Sequence, residues 1–347
     1  MTQPLRVGIV GTGLIAGLTT AAMTQTAAPN RCQPVAVSSR HPQRAADFAA
    51  QHQLAGVFDD WRELVASISI DAVYVATPTA AREAIALAAA RAGKHVLAEK
   101  PFASLASLQA IVDACAQHGR AFLDGTHFVH HPRSTLLKSS LHSRIGALKA
   151  LRASFFFPTG DHANMRHDSA QEPMGAIGDM GWYVMRAITE YADFAAPQGA
   201  LLHSTGVLER DPVSLAVVRG AGLMHFEGGF TASWDVGYNT NACTQDLQLL
   251  GERGVVVMDD FVLDWAQGFM LPRPGHVAGF TQHSGVANPE DHTWVPVPTD
   301  TPANVRMAQH FAQLTADPQG AAARASAAAS LRTQALLDAA WASLRPA

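Results

Sequence analysis

Over its first 125 residues the chain alternates short apolar runs rich in β-branched residues with longer stretches of helical composition. Five runs are predicted as strands, at residues 5–10, 34–38, 72–76, 95–98 and 121–123, and strand–helix alternation of this kind is the pattern of a doubly wound parallel sheet. In DDWRELV, Asp60 offers an acceptor to free helix amides and Glu63 answers it three residues on, so a helix is predicted to start there. Beyond residue 150 the texture changes to strand-like segments at 151–157, 216–219, 223–235, 246–250 and 254–258, with a hairpin turn at 251–254. Met224, Phe226, Phe230, Ala232 and Trp234 alternate with polar residues, so one face of this second sheet is apolar and the other moderately polar. The alanine-rich end reads as a packed structural helix, with Ala328, Leu331, Ala335, Ala339 and Ala342 on one face and Leu337, Trp341 and Leu344 on another. The expected class is α/β: a doubly wound parallel domain over residues 1–124, then an α+β domain over 125–347 with an open, mostly antiparallel sheet.

A chain of 347 residues, 48% of them hydrophobic, exceeds one ordinary core, which supports the two-domain division. With 25 basic and 29 acidic residues the net charge is −4, and no Lys/Arg run suits a nucleic acid or an anionic membrane. Cys32, Cys115 and Cys243 are far apart and outside any Cys-x-x-Cys spacing, so they are expected to be reduced thiols. The start, MTQPLRVGIVG, enters a strand within five residues without the pattern of a secretory signal, and no run reaches membrane-spanning length. The expectation is a cytoplasmic protein with a small-molecule substrate.

Where the first strand ends stands GTGLIA. Gly11, Gly13 and Ala16 occupy the positions of the G-x-G-x-x-G/A dinucleotide fingerprint, and Thr12, Leu14 and Ile15 complete the turn. The first glycine permits the tight turn, the second removes a side chain from the pyrophosphate's path, and the alanine lets the helix lie close to the sheet. The helix N-terminus then offers free N–H groups to phosphate. After the second strand, where an NAD enzyme offers an acid to the ribose hydroxyls, the chain has Ser38, Ser39 and Arg40. Hydroxyl donors and a guanidinium suit a 2′-phosphate, so Ser39 and Arg40 point to NADP, with NAD possible.

Lys100 follows the fourth strand, on the edge where open α/β sheets bind ligands. The stretch from Asp71 to Phe102, with Thr77 and Pro78 in a turn and GKHVLAEKP from Gly93 to Pro101, resembles the Gfo/Idh/MocA oxidoreductases, and the resemblance covers most of the chain. It implies an amino-terminal Rossmann domain, an Lys-Pro peptide that is often cis, and a role for Lys100 near nicotinamide and substrate, with Glu99 completing the motif. The family usually shows D-x-G-x-H-x-x-D on a helix of its second domain. Here Asp179 and Gly181 match, Tyr183 replaces the histidine and Arg186 replaces the second aspartate. That departure removes a histidine acid/base and resembles the tyrosine-containing branch near dihydrodiol dehydrogenases and sugar ketoreductases.

A phenol suits the acid's role, being protonated at neutral pH and lowered toward working range by a nearby ammonium. The expected catalytic pair is therefore Lys100, polarising a carbonyl oxygen, and Tyr183, exchanging its proton; the bland alternative for Tyr183 is a packed helix aromatic. Asp179, Asn164 and Arg166 are expected to contact a polyhydroxylated substrate, although a helix cap accounts equally for Asp179 and a solvated loop for the other two. His127, His130 and His131 lie in THFVHHP without a carboxylate or thiol partner, and no metal site is expected there. The functional expectation is an NADP-dependent oxidoreductase acting on a sugar, sugar derivative or dihydrodiol, against the alternative of a catalytically silent nucleotide-binding regulator. A homodimer or homotetramer through the carboxy-terminal sheet is the expected assembly.

Overall fold

In a computed structural model, which describes residues 3–192, 199–266, 271–284 and 291–346, the chain divides into two compact units. One comprises Met1–His127 with Ala303–Leu331, the other Phe128–Pro302 with Arg332–Ala347. Residues 303–331, which chain order alone assigns to a second domain, thus belong with the first.

The first unit is built on six strands, β1 (Leu5–Val10), β2 (Cys32–Ser38), β3 (Gly56–Phe58), β4 (Ala72–Val75), β5 (His95–Ala98) and β6 (Phe122–Asp124). Their order is β3-β2-β1-β4-β5-β6 and every pairing is parallel. All five predicted strands are present within two residues at each end; β3 is additional, three residues long and without a buried position. The central strands β4 and β5 are buried along their whole length, as a sheet covered on both faces requires. Asp60 caps the helix Trp61–Ala66 by accepting from the Arg62 amide at 2.8 Å. The core runs from Val7, Ile9 and Cys32 of the sheet to Met307, Ala308 and Phe311 of the helix Ala303–Ala316.

The second unit holds a nine-stranded sheet of β7 (Leu148–Phe156), β8 (Leu201–Arg210), β9 (Val217–Phe226), β10 (Thr231–Gly237), β11 (Thr244–Gly251), β12 (Gly254–Met258), β13 (Gly279–Ser284), β14 (His292–Pro296) and β15 (Leu344–Pro346). The order is β14-β13-β12-β11-β7-β10-β9-β8-β15, antiparallel except for β7 with β10 and β8 with β15. The segment expected as one strand at 223–235 is a hairpin instead, because Gly228 and Gly229 take positive φ of 78° and 84° and turn the chain between β9 and β10. The predicted apolar face survives that turn: Met224, Phe226, Phe230, Ala232 and Trp234 are all buried. The helices Pro132–Ile145, Gly175–Asp179 and Gly181–Tyr191 pack on the sheet.

The long helix Ala321–Ser343 corrects the sequence reading. Ala328 and Ala342 are exposed, whereas Ser330, Thr333 and Gln334 are fully buried. Alanine gains little from burial, and the hydroxyls find partners: Ser330 donates to Asp124 and Thr333 to Thr189.

Candidate active site

At the carboxyl edge of the first sheet, β1 runs into Gly11, whose φ is +112° and whose amide donates to the Ser38 carbonyl at 2.9 Å. A Cβ there would stand 2.3 Å from the Ala76 carbonyl oxygen, so only glycine fits. At Gly13 a Cβ would meet nothing within 4 Å. The helix Leu14–Thr24 begins at Gly13 with no side-chain cap on its amides, while Ala16 is buried against the sheet. Uncapped first-turn amides and the positive end of a helix dipole suit an anion. At the next strand end Thr77 Oγ1 is buried without a hydrogen-bond partner. An uncapped helix start, open space at Gly13 and an orphaned hydroxyl at Thr77 fit a dinucleotide on this edge.

The end of β2 is polar. Thr12 Oγ1 donates to Ser39 Oγ at 3.3 Å, and the Arg44 guanidinium reaches the Thr12 carbonyl at 3.3 Å. Arg40 and Arg44 are both exposed. Sequence reasoning missed Arg44; the signal was a second arginine four residues after the first, in the first turn of the helix Pro42–His52.

Arg82, a residue not singled out from the sequence, is buried and joins two predicted segments. It donates to the Thr77 carbonyl at 2.6 Å, to Thr79 Oγ1 at 3.2 Å and to the Pro101 carbonyl. Thr77 and Pro78 are thereby tied to the Glu99–Lys100–Pro101 segment, whose Lys100–Pro101 peptide is cis. Glu99 is buried, accepts from Tyr74 Oη at 2.7 Å, and lies so close to Gly125 that a Cβ there would come within 2.7 Å of its Oε1. Burial pushes the Glu99 carboxyl up, against the opposing pull of the Lys100 charge and the Tyr74 hydrogen bond. Lys100 is itself buried. His127 is pushed down to about 3 by burial and by the Lys100 ammonium, so it is neutral. His131 Nδ1 accepts from the Arg133 amide at 3.0 Å and caps the helix Pro132–Ile145.

In the second unit Tyr183 lies in the first turn of the helix Gly181–Tyr191. Its ring meets Phe155 edge-on, with centroids 5.4 Å apart, and Phe128 at 6.3 Å. Asp179 ends the preceding helix, and its Oδ2 accepts from Arg166 Nε at 2.6 Å and from Tyr238 Oη at 3.1 Å. The Asp179 charge raises Arg166 further, and burial raises the Tyr238 phenol well above its ordinary value. Arg166 and Asp179 are therefore partners of each other. Asn164 caps the short 3₁₀ turn Met165–His167 through Oδ1, which accepts from the Arg166 amide at 3.1 Å. Tyr238 was missed, although continuing the period-two pattern from Trp234 through Val236 puts it on the apolar face. Arg186, in place of the family's aspartate, donates to Glu190 at 2.7 Å one turn on. Burial opposes the charge on Glu190, but Arg186 and Lys138 hold it below its ordinary value.

Fold and residues together define a two-domain oxidoreductase built on a nucleotide-binding parallel sheet. The model of the Gfo/Idh/MocA family, described as an oxidoreductase family with an NAD-binding Rossmann fold, matches residues 5–126. The dTDP-3,4-didehydro-2,6-dideoxy-alpha-D-glucose 3-reductase of Streptomyces violaceoruber is 30% identical over 74% of this chain and 73% of its own length. The trans-1,2-dihydrobenzene-1,2-diol dehydrogenase of Homo sapiens is 27% identical over 84% of this chain and 87% of its own. Among solved structures, a 3-ketoreductase from Actinomadura kijaniata in complex with NADP and TDP-benzene has the same fold, with a TM-score of 0.84 over 99% of both chains at 23% identity. This chain belongs to the Gfo/Idh/MocA oxidoreductases. Among its described residues no helix is long and apolar enough to cross a membrane.

Proposed function

We propose that the protein is an NADP-dependent oxidoreductase that interconverts a carbonyl and a hydroxyl on a sugar, a sugar derivative or a dihydrodiol. The substrate classes follow the named relatives, and the choice of NADP follows Ser39, Arg40 and Arg44 at the end of β2, in accord with the cofactor of the 3-ketoreductase complex. The nicotinamide, when bound, supplies or takes the hydride. The glycine turn and the first amides of the helix Leu14–Thr24 hold the pyrophosphate, and Thr77 Oγ1 has a hydrogen bond to offer the cofactor. In reduction the Tyr183 hydroxyl gives its proton to the carbonyl oxygen, while the Lys100 ammonium polarises that oxygen and steadies the developing charge. In oxidation the phenolate takes the proton back. Arg166 and Asp179, fixed by one another and by Tyr238, present the polar groups that sort substrate hydroxyls. Copies of the chain associate through the open face of the nine-stranded sheet, where Arg219 and Asp235 pair at 2.8 Å.

The observation that carries this reading is Tyr183 itself: a ring fixed by Phe155 and Phe128 at the motif's acid/base position, with a hydroxyl that ring packing alone does not require. Tyr183→Phe retains the ring and should leave stability and NADPH affinity unchanged while turnover falls roughly 10²- to 10⁴-fold, the range for general acid–base catalysis. Loss of NADPH absorbance against a panel of keto-sugars and diketones measures it. Normal turnover in a less stable variant assigns Tyr183 to packing; no turnover with any carbonyl, despite tight NADPH binding, favours the silent regulator.

A further inference from the structure

Apart from the proposed catalytic pair, two imidazoles and a carboxylate converge in the second unit. One ligand atom each from His162, His167 and Asp211 lies within 4.8 Å of the other two. The two rings stack, with centroids 5.0 Å apart and 23° between their planes, an arrangement that a positive charge on both would oppose. His162 Nε2 stands 3.6 Å from Asp211 Oδ2.

The groups behind these atoms orient them as groups behind metal ligands do. His167 Nε2 is 2.8 Å from the Thr159 carbonyl oxygen, which can only accept, so that nitrogen carries a hydrogen and Nδ1 is the atom whose lone pair a metal would take from the neutral ring. Ser214 Oγ, 3.4 Å from that Nδ1, gives its hydrogen to Asp211 Oδ1 at 3.0 Å. Oδ1 also accepts from the amides of Val213 at 3.0 Å and Ser214 at 2.7 Å, which fixes the carboxylate with Oδ2 toward His162.

We propose that His162, His167 and Asp211 bind a divalent late transition-metal ion, zinc foremost, which clamps the segment 159–168 to the turn after β8. Two imidazole nitrogens with one carboxylate oxygen suit zinc and its neighbours, whereas magnesium and calcium take oxygen ligands. Tetrahedral zinc, with bonds of about 2.0–2.1 Å, sets its ligand atoms about 3.3 Å apart. To reach that spacing the His162 ring, 48% exposed, must turn out of its stack on His167 so that both lone pairs point at one ion. The fourth position is left to water. Because Arg166 immediately precedes His167, the ion would also restrain the arginine that holds Asp179.

The test uses the whole chain, stripped with chelator and titrated with Co²⁺ as a visible probe of tetrahedral coordination, then with Zn²⁺ in competition. Wild-type protein should develop the Co²⁺ spectrum with one equivalent, lose it to Zn²⁺, and melt at a higher temperature with Zn²⁺ present. His162→Ala removes a half-exposed ligand, and Asp211→Asn keeps the Oδ1 acceptor of the turn; each should weaken Co²⁺ binding by about tenfold or more. His292→Ala breaks another stacked pair, His283 with His292 at 4.5 Å, and should leave binding unchanged. The proposal is overturned if wild-type protein gives no Co²⁺ spectrum, if His162→Ala and Asp211→Asn bind as wild type does, or if binding is lost only with His292→Ala.

Discussion

Replacing Arg82 by methionine tests how the cofactor edge is held together. Methionine keeps an unbranched apolar stem and removes the guanidinium with its charge and donors. The wild-type guanidinium gives hydrogen bonds to the Thr77 and Pro101 carbonyls, and Arg82 is 4% exposed, so water cannot readily take its place. A buried acceptor left without its donor costs about 1–3 kcal/mol, the cost at the Pro101 carbonyl, and the part-buried Thr77 carbonyl adds less. Urea denaturation should show the loss as a lowered midpoint at an unchanged slope. Calorimetry should show weaker NADPH binding, because the Thr77 turn and the Glu99–Lys100 segment lose their common tie. Arg82→Lys should fall between, since one ammonium keeps the charge without the two-pronged reach. An Arg82→Met protein with wild-type midpoint and wild-type NADPH affinity would refute the reasoning.

Lys100→Ala should leave the fold intact and reduce turnover by about 10² or more, the scale for removing a preorganised charge donor; steady-state kinetics decide, and normal turnover removes Lys100 from the site. Arg40→Ala and Arg44→Ala should each weaken NADP by about 10- to 100-fold and barely affect NAD, as loss of a charged hydrogen bond to a 2′-phosphate requires; equal losses for both cofactors in calorimetry would sink the assignment. Acid should destabilise the first unit early. Burial pushes His95 down to about 4 and His127 to about 3, so between those values and the unfolded value near 6.5 the unfolded chain binds more protons. Stability is fully present above about pH 6.5 and declines as pH falls toward 4, each histidine contributing up to about 1.4 kcal/mol per pH unit. A urea midpoint unchanged between pH 8 and pH 5 would contradict this.

What the sequence made legible was what local pattern encodes. The parallel strands are short, continuous apolar runs because both faces are covered, and GTGLIA is readable because glycine is obligatory at Gly11 and any Cβ at Gly13 would enter open space. The strands β3, β8, β13, β14 and β15 were not predicted: LLHSTGVLER, for one, has a single buried position, so no alternation announces it. Arg82 was invisible for a different reason, since an arginine in an alanine-rich helix reads as solvated until the Thr77 and Pro101 turns are brought to it. Asp179 and Arg166 were both picked out, but their bond to each other and to Tyr238 joins three separate stretches of chain. The histidines at 162 and 167 gained a carboxylate only when the fold brought up Asp211, more than forty residues later.

The first unit takes its material from two stretches of chain, and that has a consequence for how it is made. A ribosome delivers Met1–His127 early, yet Met307, Ala308 and Phe311, which complete the core around Cys32, emerge only after strands β7 to β14 have been translated. Until then the nascent parallel sheet exposes the apolar patch that the helix Ala303–Ala316 later covers, a state open to chaperone capture or aggregation. The second sheet, by contrast, has eight of its nine strands in hand before Ala303 appears, with only β15 still to come. Order of synthesis and order of completion are therefore expected to be reversed, the amino-terminal fold being finished by nearly the last helix translated.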